Sequence, residues 1–391
     1  MKIIALSDLH LGQNGTDGLG QHSLLSTKAP QNLVQQFVES VATFASGEPI
    51  TLLFAGDLLD LSLAYAEDAL ADLHGLLSAL AGTVRIDEID CVIGNHDQHL
   101  WSLHSEDKRL LGPLREGRVP SNGDRPCAKA MYQVTNVTGE PFKILQPLVD
   151  QIFGSAAPKI TIAYPSYSRR LSSLASEGTL LHVTHGHLFG GLYTELSDLL
   201  KNKVSGLPHS HVVATVNQPL IELIYWLLGE TGEGMGVDGL VEEIYTDMQK
   251  GTLSRVRAIV ARLVAQLLPH GVLWRVLGHW ERKIVVDAVM AELQKILLSP
   301  STAASAAAER YADLETTRAG LRAWLGAIDW PKQQSTIVLY GHTHVWDDYA
   351  IPDTNVRTWN LSTWLVEPGH PPPRTGFLGI DDAGARWIDV S

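Results

Sequence analysis

Short apolar runs that break abruptly into polar clusters recur along this chain. Lys2–Leu6, Leu52–Ala55, Ile89–Ile93, Lys159–Ala163, Thr179–Thr184 and Thr336–Tyr340 each read as a buried strand. Thr358–Leu361, Gly376–Ile380 and Trp387–Val390 read as closing strands, and Met131–Val134 and Lys143–Leu145 as candidate short ones. Helical spacing appears in Gln31–Ala45, through Leu33, Val34, Phe37, Val38 and Val41, and again in Ala64–Leu80. Strands alternating with helices predict an α/β protein. From Phe189 to Gln334 the texture changes: helical spacing dominates in Leu220–Leu228, Val256–Leu268, Val272–Leu277, Ile284–Leu298 and Ala306–Leu325. The pattern predicts a core in two parts, 1–189 and 335–391, separated by a mainly helical insertion over 190–334. Arg255 with Arg262, and Arg275 with Arg282, share helix faces within it; a solvated face is the first reading, ahead of phosphate or headgroup contact.

Five of the strands end in residues that can carry chemistry: Asp8-Leu9-His10, Gly56-Asp57 with Asp60, Gly94-Asn95-His96-Asp97, His185-Gly186-His187 and Gly341-His342-Thr343-His344. Asp8 and His10 are two apart, so in extended chain both point to one side, as metal ligands would. Alone, each cluster has a plainer explanation. Asp57 and Asp60 read as helix-start carboxylates, and an isolated Asp-x-His as a cap followed by a surface histidine. Recurrence changes that balance, because sites in α/β proteins gather beyond the carboxyl ends of strands. Asn95 then offers a neutral oxygen to a hard or borderline cation, and His96 an acid held by Asp97. Arg169 and Arg170 follow another strand and read as a surface pair before a substrate contact.

Composition narrows the setting. The 391 residues suffice for about two to three domains, or one domain with a sizeable insertion. Hydrophobic residues make up 45%, and mean hydropathy is +0.02, which fits a soluble globular chain. With 30 basic and 43 acidic residues, the net charge of -13 opposes an open basic groove, so a nucleic-acid partner is not expected. Two cysteines, Cys91 and Cys127, exclude a disulfide framework, and Cys91 falls in an apolar run where a buried thiol belongs. The apolar start before Ser7 and Asp8 is too short for a signal peptide, and the charge-free stretch Val204–Ile221 is too polar to span a membrane. A cytoplasmic protein is the expectation.

As an ordered set, the five clusters resemble the signature of the calcineurin-like metallophosphoesterase superfamily, over Met1–Phe189 and from Thr336 onward. The resemblance implies a sandwich of mixed β-sheets flanked by helices, with the helical insertion outside it. It implies two divalent metal ions: Asp8, His10 and His344 on one, Asn95, His185 and His342 on the other, and Asp57 bridging. His96 would stabilise the leaving group with Asp97 orienting it, while Asp60 and His187 would support the ligands. Oxygen and nitrogen donors suit Mn, Fe or Zn. The implied reaction is hydrolysis of a small phosphate mono- or diester by attack of metal-bound hydroxide.

Two departures shape the substrate question. Ile93 stands where the superfamily's protein Ser/Thr phosphatases carry arginine. Ser7–Gly12 and Asn360–Trp364 resemble the bacterial UDP-diacylglucosamine pyrophosphatase group, which has arginine at the His96 position and no insertion of this size. Cleavage of a nucleotide-sugar or lipid-linked pyrophosphate is therefore an alternative. A non-catalytic, metal-stabilised binding protein is another, but it predicts broken ligand positions and none is broken. The insertion is expected to cap the site or to serve as a packing or oligomerisation module, and it offers a route to membrane-surface contact.

Overall fold

The computed structural model describes residues 2–15, 20–29, 32–62, 64–120, 139–171, 178–189, 257, 287, 314–327, 330, 333–368 and 371–390. The expected strand Met131–Val134, residue Cys127, the helical segments between Leu220 and Leu298 apart from residues 257 and 287, and Arg255, Arg262, Arg275 and Arg282 lie outside the described residues.

The described chain is mixed α/β. In order it forms β1 (Lys2–Leu6), β2 (His22–Ser23), α1 (Val34–Ala45), β3 (Ile50–Ala55), α2 (Ala66–Ala81) and β4 (Ile86–Val92). Next comes α3 (Gln98–Glu106), which runs through a π-helical turn (Asp107–Leu111) into the single turn α4 (Gly112–Arg115). There follow β5 (Glu140–Pro141), α5 (Gln146–Phe153), β6 (Lys159–Ala163), β7 (Ser166–Leu171), β8 (Thr179–Thr184) and α6 (Leu314–Ala327). The chain closes with β9 (Thr336–Tyr340), β10 (Asp347–Ala350), β11 (Val356–Asn360), β12 (Leu365–Val366), β13 (Gly376–Asp381) and β14 (Gly384–Asp389).

Two sheets carry the fold. The first has the order β14-β13-β1-β3-β4-β6-β5, with β1, β3, β4 and β6 parallel and β5, β13 and β14 antiparallel to their neighbours. The second has the order β10-β11-β9-β8-β7, parallel through β11, β9 and β8 and antiparallel at both edges. Side-chain alternation stacks the layers. Ile3, Ala5, Leu53 and Ala55 share a core with Leu181, Val183, Ile337 and Leu339, so the sheets pack face to face. The alternate residues Ile4, Leu6, Leu52 and Phe54 face away, into a core with Phe37 and Val41 of α1 and Leu73 and Leu77 of α2. Val338 and Tyr340 face the other way, onto Leu321, Trp324 and Leu325 of α6. The order is helix, sheet, sheet, helix. Burial on both faces is why the central strands read as unbroken apolar runs.

Two stretches differ from the sequence expectation, and helix α3 lies where none was stated. Lys143–Leu145 is a turn rather than a strand: Phe142 N donates to Ile160 O at 2.9 Å, and the chain then winds into α5 with Leu145 and Val149 buried. Tyr164–Arg170 is not a strand-end loop, because Ser166–Leu171 pairs with β8 as a hairpin. Its arginines are engaged there, Arg169 with Glu88 at 2.6 Å and Arg170 with Gly178 O at 3.4 Å. Helix α3 gave no clear apolar period, since it buries Leu100 and Trp101 alongside the polar Gln98 and His104.

Candidate metal centre

The polar clusters occupy the turns just past β1, β3, β4, β8 and β9. The parallel β1–β3 ladder continues into them: Asp8 N donates to Gly56 O, and His10 N to Asp57 O, each at 3.0 Å. Asp8, His10, Asp57, His342 and His344 all have positive φ, between 47° and 72°, five of the eight described non-glycine residues that do. Such conformations persist only where surroundings over-determine them, and they concentrate at functional sites. Glycine supplies the room. A Cβ on Gly94 would collide with the Asp57 carboxylate, on Gly341 with that of Asp8, and on Gly56 with the His185 ring.

Two donor sets converge. Asp8, His10 and His344 form one, with His10 Nε2 3.3 Å from His344 Nε2 and His344 Nε2 3.4 Å from Asp8 Oδ1. Asp57, His185 and His342 form the other, with His185 Nε2 3.0 Å from Asp57 Oδ2 and 3.1 Å from Asn95 Oδ1. The sets adjoin, since His10 Nε2 lies 3.9 Å from Asp57 Oδ2 and His185 Nε2 lies 4.0 Å from Asp8 Oδ1. Asp8, Asp57, Asn95 and His185 are buried, and every sequence-proposed ligand falls within this cluster.

The tautomers bear on whether cations fit. His10 Nδ1 contacts Asp60 Oδ2 at 3.1 Å, His185 Nδ1 contacts Ala55 O at 3.1 Å, and His344 Nδ1 contacts Glu367 Oε2 at 3.0 Å. Each partner only accepts, so each Nδ1 carries a proton and each ring turns Nε2 inward. There Nε2 meets carboxylate and amide oxygens, which only accept. Oxygens gathered in this way call for positive charge at Nε2, a second proton or a metal ion in its place, so the residues fit metal ions. Proton affinities point the same way. Burial opposes charge on His185, but Asp57 and Asp8 outweigh it and raise its pKa to about 9. His344 rises to about 10, burial again being outweighed, here by Asp8 and Glu367. His342 instead falls to about 3, through burial and the neighbouring His185. Asp57 stays well below the usual carboxylate range because His185 and His96 overcome its burial.

His96 borders this cluster. Its backbone N–H donates to Asp57 Oδ1 at 2.9 Å, and its Nδ1 meets Ser62 Oγ at 2.7 Å and Asp60 Oδ2 at 3.1 Å. The buried Asp60 thus touches both His10 and His96. Asp97 acts on backbone: its two oxygens accept Leu58 N at 2.9 Å and Gly94 N at 2.7 Å. Burial, then Asp57, raises the Asp97 pKa to about 7. His187 is buried beside the cluster, stacked on Tyr164 at 6.1 Å and 5.5 Å from the His185 ring. Sequence reasoning missed Ser62, Glu367 and Gln13, whose Nε2 donates to Asp60 Oδ2 at 3.3 Å. Ser62 had a local signal, an Asx turn in which its N–H donates to Asp60 Oδ1 at 3.1 Å. Glu367 had none, lying in no motif and 23 residues beyond His344.

No protein-family profile matches the chain, and no curated protein does. Among solved structures it is similar to phosphopantetheinyl hydrolase (PptH) from Mycobacterium tuberculosis, at 14% identity over 95% of this chain and 98% of that one. The TM-score is 0.29, an overlap too low to support inference, so the functional reading rests on the site itself.

Proposed function

We propose that this chain is a calcineurin-like metallophosphoesterase, a binuclear metal-dependent hydrolase of a small phosphate mono- or diester. The observation that supports it is the set of three imidazoles, His10, His185 and His344, anchored at Nδ1 and turning Nε2 onto Asp8, Asp57 and Asn95. Asp8, His10 and His344 would hold one ion, and Asn95, His185 and His342 the other, with Asp57 shared. Mn, Fe or Zn would suit these donors. When bound, the ions supply Lewis-acid stabilisation of phosphate oxygens and activation of water at neutral pH.

The chain's own residues then have defined tasks. Hydrolysis breaks the bond between phosphorus and the leaving oxygen, and that oxygen needs a proton. His96 supplies it. Asp60 and Ser62 fix its Nδ1, so Nε2 is the donating atom. Asp97 fixes the Gly94–Asp97 turn against Leu58, which holds Asn95 and His96 in register with Asp57. The core halves 1–189 and 335–391, with an insertion at 190–334 as cap or oligomerisation module, belong to the same proposal; the packing of Leu314–Ala327 on the second sheet bears on the insertion's C-terminal bound.

Metal analysis of the purified protein, coupled to assays on phosphate monoesters, diesters and nucleotide-sugar pyrophosphates, tests the reading. Metal-dependent turnover of a monoester or diester is expected. Turnover confined to pyrophosphates moves the assignment to the pyrophosphatase alternative, and bound metal with no turnover moves it to a binding protein.

A further inference from the structure

The segment Asn360–Trp364 supplies no ligand, yet it is bonded to both halves of the candidate metal centre. On the first sheet's side, Asp8 O accepts Trp364 N at 3.0 Å and Thr363 Oγ1 at 2.9 Å. On the second sheet's side, Asn360 Nδ2 donates to Thr343 Oγ1 at 2.7 Å, between the ligands His342 and His344. Asn360 Oδ1 accepts Ser362 N at 3.2 Å, so the same side chain also sets the bend of the segment. Both ends are fixed. Leu361 N donates to Tyr340 O at 2.8 Å beside β9, and Trp364 sits in the helix-facing core with its ring 5.6 Å from Phe37.

All five residues are buried, and three of them are polar. Ser362 has φ 61°, and its Oγ has no hydrogen-bond partner, so the segment carries both backbone strain and an unsatisfied buried hydroxyl. A stretch that only filled space would need neither. Asp8 itself has φ 54°, and its carbonyl is held by the two bonds from this segment. The Asp8 carboxylate in turn accepts His342 N, at 3.0 Å and 3.1 Å to its two oxygens. A closed circuit results: the strap holds Asp8, Asp8 holds the turn of His342, and the strap returns to that turn through Thr343.

We infer that Asn360–Trp364 is a positioning strap that locks the Asp8 turn of one sheet to the His342–His344 turn of the other and so sets the metal affinity of the centre. The inference rests on the metal-centre reading. Groups that orient metal ligands typically contribute about 10- to 100-fold in affinity. Thr363 and Thr343 are the residues to test, because valine keeps their shape and removes only the hydroxyl.

In the full-length chain, Thr363→Val and Thr343→Val are expected to weaken Mn²⁺ binding by about 10- to 100-fold, measured by titration of the metal-free protein. Thr363→Ser and Thr343→Ser, which keep the hydroxyl, are expected to restore it. Wild-type affinity in both valine variants overturns the inference, as does equal weakening in the valine and serine pairs. Hydrogen exchange on the wild-type chain needs no variant to fold. Saturating Mn²⁺ is expected to slow the amides of Ser362–Leu365 more than those of β13, and equal slowing overturns the strap. A wild-type chain that takes up no Mn²⁺ removes the metal-centre reading; one that binds it beside unchanged valine variants removes the strap alone.

Discussion

At the scale of single residues, the division of labour between ligands and acid makes a sharp prediction. His96→Ala is expected to keep both metal ions and lose about 10²- to 10⁴-fold in turnover, the usual worth of a positioned acid; metal analysis beside kinetics checks both halves. Gly94→Ala is expected to do the reverse of sparing the metals. Its Cβ would collide with the Asp57 carboxylate, so metal content should fall with activity. The proposed ligand set was legible in the sequence because every member sits within a few residues of a strand end, where a strand, a glycine and a donor recur together. The supporting shell was less so. Asp60 looked like a helix-start carboxylate, yet it is buried between His10 and His96, a role fixed by tertiary packing. Asp97 reads in the sequence as orienting His96, whereas its oxygens face the backbone of Leu58 and Gly94.

At the scale of elements, the central strands were readable because burial on both faces makes them uniformly apolar. Helix α3 was not, because it mixes buried polar and apolar residues. Helix α6 covers the outer face of the second sheet, with Leu321 fully buried against the core that contains Val338 and Tyr340. Leu321→Ala should therefore destabilise the chain by about 2–5 kcal/mol, read from the shift in urea midpoint. An unshifted midpoint would detach α6 from the core. The β7–β8 hairpin carries a pH dependence. His182 is buried, bonded through Nδ1 to Ser168 Oγ at 2.8 Å, and burial depresses its pKa from 6.5 to about 3. The unfolded chain binds this proton first, so stability is complete above pH 6.5 and falls as pH drops toward 3. His182→Leu is expected to flatten that acid limb in urea midpoints measured against pH.

At the scale of the whole molecule, the fold brings together residues more than 300 positions apart. His344 reaches Asp8 and His10 because β1 and β9 lie in different sheets that pack face to face and open their carboxyl ends on the same side. Neither sheet could assemble the centre alone, since the first supplies Asp8, His10, Asp57 and Asn95, and the second supplies His185, His342 and His344. On the proposed assignment, metal binding would link the two sheets, so ions should raise the melting temperature of the chain. No described helix is long and apolar enough to cross a membrane. The central claim is a binuclear centre that hydrolyses phosphate esters, and one titration tests it most directly. Metal-free protein is titrated with Mn²⁺ while both bound metal and hydrolysis of a chromogenic phosphodiester or phosphomonoester are followed. The account predicts two ions per chain and turnover that appears only as the second is bound. A chain that binds no ion, or that hydrolyses these esters equally well without one, would contradict it.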